Sequence, residues 1–538
     1  MSNFYSETLS VKPARVMTPV NQPMPGREAE MVPNSDGGMV FELDAWKYLE
    51  RFLILGSDKP SYYASAQKLT KDAGKNVLEC IKLDGVKTVN TIVEISQSGR
   101  APKNDPAVFA LALCAINGNE ETVKAAYEAL PKVARIGTHL FQFVSALDEL
   151  GKWNAAAKRG IAKWYTQRGD AKLAVQLMKY QSRDGWAHRD VLRLAHIKPT
   201  SVNQSNIFKY VVKGGDAMEL GAMMPRTIVD FETLKRNPDP KLALKLIADN
   251  KDLSWEMLPT EFNKNVEVQS ALLQNMGMTA LIRKLGQLTS IGVIKPLSSD
   301  LKVVISKLTD KDAIKNGRVH PITILNALRQ YSAGHGLKGS LVWTPVQSVV
   351  DALNDAFYEA FEFIPSTGEG YLFGLDISGS MFGGSVIGSP NLYPAEVSAC
   401  MALAVAKRES NYFMFGFDNY PKPLKISPSM RLDGVLKAMR DLKWSAGGTN
   451  TALPMEYALQ HRLAVDKMVV FTDNEVNQGK QHVSQALAKY RQGMNKPNTA
   501  LIVCATSVTD FTVADPKDPR QMDIVGFDSA APQLIQQF

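Results

Sequence analysis

The chain has 538 residues, 45% of them hydrophobic and 22% charged, with a net charge of +8. That composition excludes a disordered or low-complexity protein and predicts two or more folded domains. No run of about 18 apolar residues is present, so no membrane span is expected. Met1–Ser10 has neither the basic patch nor the apolar core of a secretory signal. Cys80, Cys114, Cys400 and Cys504 lie far apart in apolar stretches, without a C-x-x-C pair. This argues against a zinc site or a disulfide framework and for a reducing, cytoplasmic setting.

The charge is unevenly placed. Residues 1–365 hold 46 Lys and Arg against 38 Asp and Glu, whereas residues 366–538 hold 16 of each. Residues 151–200 alone carry 11 basic and 3 acidic side chains. A basic excess confined to fifty residues is the pattern expected of polyanion binding. A surface shaped only by solubility mixes the two signs.

In chain order, residues 1–38 are rich in Pro, Met, Ser and Asn without periodicity, and are expected to form an extended arm. Over residues 39–363 apolar residues recur at three- and four-residue spacing, which predicts many short helices. Stacked helical pairs, an α-solenoid of irregular repeats, fit this better than one bundle. Within it Lys172, Gln176, Lys179 and Arg183 are spaced for one helical face. A second helix is expected from about His188 to before Pro199, with Arg189, Arg193 and His196 on one side. Arg159 and Lys163 make a further basic pair. Like charges at this spacing weaken an isolated helix by roughly 0.2–0.5 kcal/mol a pair, which points to an anionic partner. Trp153, Trp164, Trp186, Tyr165 and Tyr180 lie among these cations, where aromatics can either stack on bases or pack in the core.

At Pro365–Gly370 the pattern changes, and residues 364–538 are expected to form a separate domain. Buried strands are predicted at Tyr371–Leu375, Tyr412–Phe417, Met468–Phe471 and Leu501–Cys504. Helices are predicted near 394–408, 431–442, 452–464 and 481–493. Strands alternating with helices imply a parallel sheet covered on both faces, and ligands bind at the carboxyl ends of such strands. Asp376, Ser378 and Ser380 fall there, in Asp-Ile-Ser-Gly-Ser. Thr449, in Gly-Gly-Thr-Asn-Thr, and Asp473, after Val-Phe-Thr, fall at comparable strand ends. Hard oxygen donors of this kind suit a divalent ion, Mg²⁺ first. Nothing beside them reads as a nucleophile–base pair, so a binding site is expected and a phosphohydrolase or nuclease is the weakest alternative.

These residues resemble the metal-ion-dependent adhesion site (MIDAS) of von Willebrand factor A and integrin I domains. That resemblance implies Asp376, Ser378, Ser380 and Thr449 next to the metal, Asp473 acting through a water, and an open position for an acidic protein ligand. Farther upstream, Gly185-Trp-Ala-His-Arg-Asp-Val-Leu-Arg-Leu-Ala-His-Ile-Lys-Pro199 resembles the Ro ribonucleoprotein family, as do Arg51–Ser57, Gly317–Pro321, Gly334–Gly339 and Phe471–Glu475. The motifs occur in family order from about residue 41 onward. The resemblance implies HEAT-like repeats of the TROVE module closed into a ring and joined to an A domain, without catalysis. It implies Y RNA on a basic outer surface, single-stranded 3′ ends of misfolded or damaged RNA in the ring hole, and an exoribonuclease tethered through RNA. The RNA-binding residues it implies are Lys172, Lys179, Arg183, His188, Arg189, Arg193 and His196, with Arg135 and His139 in a second stretch. The alternative function is a metal-dependent protein-interaction or chaperone adaptor acting through the A domain.

Overall fold

The computed structural model describes residues 23–34, 36–56, 73–149, 153–215, 224–336, 340–361, 365–383, 386, 392–442, 448–507, 509 and 511–538. Most of the N-terminal arm (1–22), Gly447 of the Gly-Gly-Thr loop and residues 337–339 of the Gly-His-Gly motif lie outside them. The strands are β1 (Met31–Pro33), β2 (Met39–Glu42), β3 (Ser182–Arg183), β4 (Trp186–Ala187), β5 (Tyr371–Asp376) and β6 (Tyr412–Phe417). They continue with β7 (Pro421–Pro423), β8 (Lys467–Thr472), β9 (Ala500–Ala505), β10 (Phe511–Thr512) and β11 (Gln521–Val525). Two compact units result: Ala45–Glu362, and Phe363–Phe538 together with the N-terminal segment up to Asp44.

The first unit is helical. Its helices start where short polar side chains accept otherwise unpaired backbone N–H groups: Asn119, Asn154, Ser201, Asp239, Asn265, Ser298 and Asp310 each do so. Alternate helices then stack. Ala73–Ser98 packs on Glu120–Val133, Glu120–Val133 on Ala155–Thr166, and Ala155–Thr166 on His188–Ala195. Farther on, Val266–Asn275 packs on Ser299–Leu308 in the same way. Pairing of second neighbours is what distinguishes a solenoid from a bundle. The run also returns on itself. His320, which caps helix Pro321–Ala333, lies 3.2 Å by its Nε2 from the Arg100 carbonyl, just past the first long helix. The solenoid is thereby closed into a ring.

The second unit is an α/β layer. Its six strands run in the order β11-β9-β8-β5-β6-β7, all parallel except β7. β5, β8 and β9 are buried at every position, as expected of strands covered on both faces. The helices Pro394–Ala406, Leu432–Arg440, Leu453–Gln460 and Val483–Gly493 fall where the periodicity places them. The chain leaves β5 toward β6 and later crosses back to β8 on its other side. The order therefore reverses between β5 and β8, and the crevice outside their carboxyl ends is the expected ligand position.

The N-terminal segment departs from expectation. β1 pairs with β2, and β2 pairs with β10. Val40 is fully buried in one cluster with Leu372, Met468, Val470 and Leu501. The described part of the arm is thus a hairpin on the α/β unit, and the boundaries after residues 38 and 363 do not separate it from that unit. Its apolar positions, Met31, Val40 and Phe41, are too few to show a period in so short a strand pair.

Candidate metal centre and nucleic-acid interface

Asp376 ends β5, and Asp473 directly follows β8. The two carboxylates therefore meet at the point where strand order reverses. Asp376 is fully buried; its Oδ1 accepts from the Ser378 N–H at 2.9 Å and its Oδ2 from the Thr472 hydroxyl at 2.7 Å. Ser378 and Ser380 hydroxyls are 3.1 Å apart. Ser380 also hydrogen-bonds Asp473, and Asp473 Oδ1 accepts from the Glu475 N–H at 3.2 Å. Burial and the charge of Asp473 push the Asp376 carboxyl upward, and burial does the same to Asp473. Two carboxylates that raise each other's cost of ionisation, surrounded by hydroxyl oxygens, have the donor chemistry of a hard divalent cation. Among the described residues no three His, Cys, Asp or Glu side chains gather as a metal cluster, so a centre here stands on two carboxylates plus hydroxyls.

Thr449 is nearly fully buried and comes from a separate loop. Asn477 positions it: its Oδ1 accepts from the Thr449 N–H at 2.7 Å, while the Asn477 and Gln478 N–H groups donate to the Thr449 carbonyl at 3.2 Å. Asp418, after β6, holds the adjoining residue through its carbonyl, which accepts from the Asn450 N–H at 3.0 Å. The Asp418 carboxylate is occupied by Lys422 at 2.6 Å. Sequence reasoning missed Thr472, Asn477 and Asp418. Thr472 was legible, standing beside Asp473; the other two act through loops whose approach no local spacing reports.

The basic segment folds differently from its prediction. The helix Asp170–Lys179 stops four residues short of Arg183. β3 and β4 then form a hairpin whose two-residue turn, Asp184-Gly185, has φ of 52° and 81°. Both torsions are left-handed, the geometry of a type I′ turn, for which Asp-Gly is a strong signal. Arg183 is therefore on a strand. The next helix, His188–Ala195, is held by Asp190, which accepts from the Ala187 N–H at 3.1 Å.

This geometry sorts the expected RNA-facing residues. Lys172, Arg183, Arg189, Arg193 and His196 are exposed, with Arg189 and Arg193 one turn apart on a single helix. Lys179 is half-buried and ion-paired to Glu256 at 3.4 Å, and Gln176 accepts from the Gly137 N–H at 3.0 Å. His188 is a correction: it is 2% exposed, lies among Phe141, Trp164 and Tyr165, and its Nδ1 is 2.8 Å from the Tyr165 hydroxyl. Burial holds its pKa down to about 3. A neutral imidazole in an aromatic core offers nothing to a phosphate. Trp164 and Tyr165 share that core, whereas Trp153 and Trp186 pair at 5.9 Å and stay half-buried.

Arg135 and His139 are half-buried and bonded within the protein. Arg135 donates to the Ser96 carbonyl at 2.8 Å and hydroxyl at 2.7 Å; Ser96 donates to Asn104 Oδ1 at 2.6 Å, and Asn104 Nδ2 lies 3.3 Å from His139 Nδ1. Burial, with Arg135 nearby, lowers His139 to about 4. Burial and the like charge of Arg318 lower Arg135 to about 10. Burial raises the thiols of Cys114, Cys400 and Cys504. No described helix is long and apolar enough to cross a membrane.

Comparison with known proteins assigns both units. Residues 370–538 match the Ro60 vWA domain, and residues 32–246 and 220–331 match the TROVE domain. The chain is 37% identical over 533 residues to an RNA-binding protein RO60 of Deinococcus radiodurans, covering 97% of this chain and 98% of that protein. It is 31% identical over 582 residues to the Caenorhabditis elegans RNA-binding protein RO60, covering 94% and 90%. The crystal structure of the Deinococcus radiodurans RO (RSR) protein superposes with a TM-score of 0.67 at 37% identity, covering 91% of this chain and 98% of that one. A helical solenoid, an α/β unit and these matches along nearly the whole length agree: the chain belongs to the Ro60 family, a TROVE domain joined to a Ro60-type vWA domain.

Proposed function

We propose that this protein is an RNA-binding scaffold that carries a small structured RNA of the Y type on its basic surface. In the same reading it engages single-stranded 3′ ends of misfolded or damaged RNA through the ring, in RNA quality control and small-RNA stability. The observation that carries the reading is the cluster of Arg183, Arg189, Arg193 and His196, all exposed on one hairpin and the helix that follows it. Exposed guanidinium groups on adjoining elements suit a phosphate backbone. The relatives' names as RNA-binding proteins point the same way. The protein acts without catalysis, in the cytoplasm, and its RNA is the bridge to an exoribonuclease.

The vWA edge supports a companion role. Asp376, Ser378, Ser380, Thr449 and Asp473 would hold Mg²⁺, leaving a position for an acidic side chain of a protein partner. The metal would supply the positive charge that such a carboxylate needs, and the chain's own residues would fix where it sits. Sequencing RNA crosslinked to the native complex tests the main reading. Recovery of one abundant small structured RNA, lost when Arg183, Arg189 and Arg193 are changed together to Glu, is the expected result. Recovery of no RNA, with a protein partner lost on Asp376→Ala, would favour the adaptor alternative instead.

A further inference from the structure

The N-terminal hairpin reaches the metal edge. Its turn, Asn34–Gly38, is closed by the Asn34 N–H to the Gly38 carbonyl at 2.8 Å, and Asn34 Oδ1 accepts from the Asp36 and Gly38 N–H groups at 3.1 and 2.8 Å. Asn34 is 7% exposed, and its Nδ2 donates to the Val476 carbonyl at 2.8 Å and the Asn474 carbonyl at 3.3 Å. Gly38 lies so close that a β-carbon there would stand 1.8 Å from the Val476 carbonyl oxygen. The turn is therefore seated on the loop that follows Asp473 and admits no side chain at residue 38.

That seating brings one carboxylate to Asn477, the residue that holds Thr449. Asp36 Oδ2 accepts from Asn477 Nδ2 at 2.8 Å, and Asn477 Oδ1 in turn accepts from the Thr449 N–H. A two-bond relay runs from the arm to a proposed metal ligand. The negative charge of Asp36 is also felt by Asp473, where it adds to the effect of burial.

Resting on the proposed metal site, we propose that Asp36 is a positioning and affinity residue of that site. It orients Asn477, which sets the Thr449 loop, and it adds a further negative charge that Asp473 feels. The arm thereby strengthens capture of a divalent cation, and it weakens an anionic partner's approach to the same edge. Asp36 is exposed, so its contribution is screened by salt.

The test compares the full chain with Asp36→Asn, Asp36→Glu and Asn477→Ala at low ionic strength. Mn²⁺ binding is read by electron paramagnetic resonance, and melting temperature is measured with and without Mn²⁺. Asp36→Asn keeps an acceptor for Asn477 but loses the charge. It is expected to raise the Mn²⁺ Kd roughly three- to tenfold, the scale of one exposed unit charge acting on a divalent ion at short range. Its metal-free melting temperature should hold or rise, because repulsion between Asp36 and Asp473 is relieved. Asp36→Glu should restore affinity, and Asn477→Ala should lose more of it than Asp36→Asn. Less than a twofold change for Asp36→Asn, in a parent that binds Mn²⁺, overturns the role of Asp36 alone. So does a fall in melting temperature of equal size in both states, which would mark a purely structural contact. A parent chain that binds no Mn²⁺ overturns the metal reading itself, and the role of Asp36 with it.

Discussion

His320 Nε2 donates to the Arg100 carbonyl across 220 residues of chain, at 3.2 Å. The proton must sit on Nε2, because Nδ1 accepts from the Ile322 N–H at 3.2 Å. One neutral tautomer thus serves both as helix cap and as the bond that closes the ring. Burial lowers its pKa to about 4. Replacing His320 with Ala leaves the partly buried Arg100 carbonyl without this donor, and should cost about 1 kcal/mol. Urea unfolding measures the loss, and proteolysis should open near residues 99–104 before other sites.

Acid should act on the same bond. His139, His188, His320 and His482 are all held below the ordinary imidazole value, chiefly by burial. The unfolded chain therefore binds more protons than the folded one between about pH 6.5 and pH 3. The stability these groups contribute is fully present above pH 6.5 and is lost as the pH falls toward 4. Melting temperature recorded from pH 7.5 to 4.5 should drop. His320→Ala, with one such group fewer, should show a shallower slope.

The carboxylate pair at the strand edge should respond with the opposite sign. Asp376 and Asp473 are raised above ordinary carboxylates by burial, with mutual repulsion adding to Asp376. In the cation-free state the folded vWA unit therefore binds more protons than the unfolded chain above pH 3.8, so these two groups favour folding as pH falls. A bound cation requires both ionised, so Mg²⁺ affinity should weaken on acidification. Asp376→Asn should raise the cation-free melting temperature and abolish its increase with Mg²⁺. Calorimetry of the two proteins with and without Mg²⁺, at pH 6 and pH 8, checks both statements.

His188 separates folding from binding. It fills a cavity among Phe141, Trp164 and Tyr165 and bonds the Tyr165 hydroxyl. His188→Ala should destabilise the helical unit by about 2–4 kcal/mol, the scale of emptying a buried aromatic site. Any loss of RNA should follow the unfolded fraction. His188→Phe keeps the volume and should recover most RNA binding at low temperature. A folded His188→Ala protein that cannot bind RNA would show instead that the imidazole is itself a contact.

Much of the vWA unit was legible in the sequence because its strands are continuous apolar runs. The predicted Tyr412–Phe417 strand is the observed β6, and the other three predicted strands lie within β5, β8 and β9. The carboxylates were legible because they stand at the ends of those runs. β7 and β11 were not, since Pro-Lys-Pro removes donors and Gln521–Asp523 is only half-buried. The N-terminal hairpin was invisible for a further reason: β2 finds its partner, β10, some 470 residues away. In the basic segment the spacing of Lys172, Gln176, Lys179 and Arg183 imitated a helix face. Asp184-Gly185 carried the contrary signal, and local turn chemistry prevailed over periodicity.

That turn leads to the sharpest test of the surface. Lys179, half-buried, sits 3.4 Å from Glu256, whereas Arg189, 56% exposed, makes only a looser, solvent-facing 3.7 Å contact with its neighbour Asp190, and Arg193 is exposed. A lysine already paired adds little attraction for phosphate, and reversing its charge first breaks a bond within the protein. Arg189→Glu and Arg193→Glu should therefore each weaken binding of a structured RNA and lower the salt slope by about 0.7–0.9 per lost phosphate contact. Lys179→Glu should leave the slope nearly unchanged and lower stability slightly, by the roughly 0–1 kcal/mol typical of a solvent-screened pair. Binding isotherms at several salt concentrations distinguish the two patterns. Equal slopes for all three variants and the parent would remove this hairpin and helix from the RNA surface.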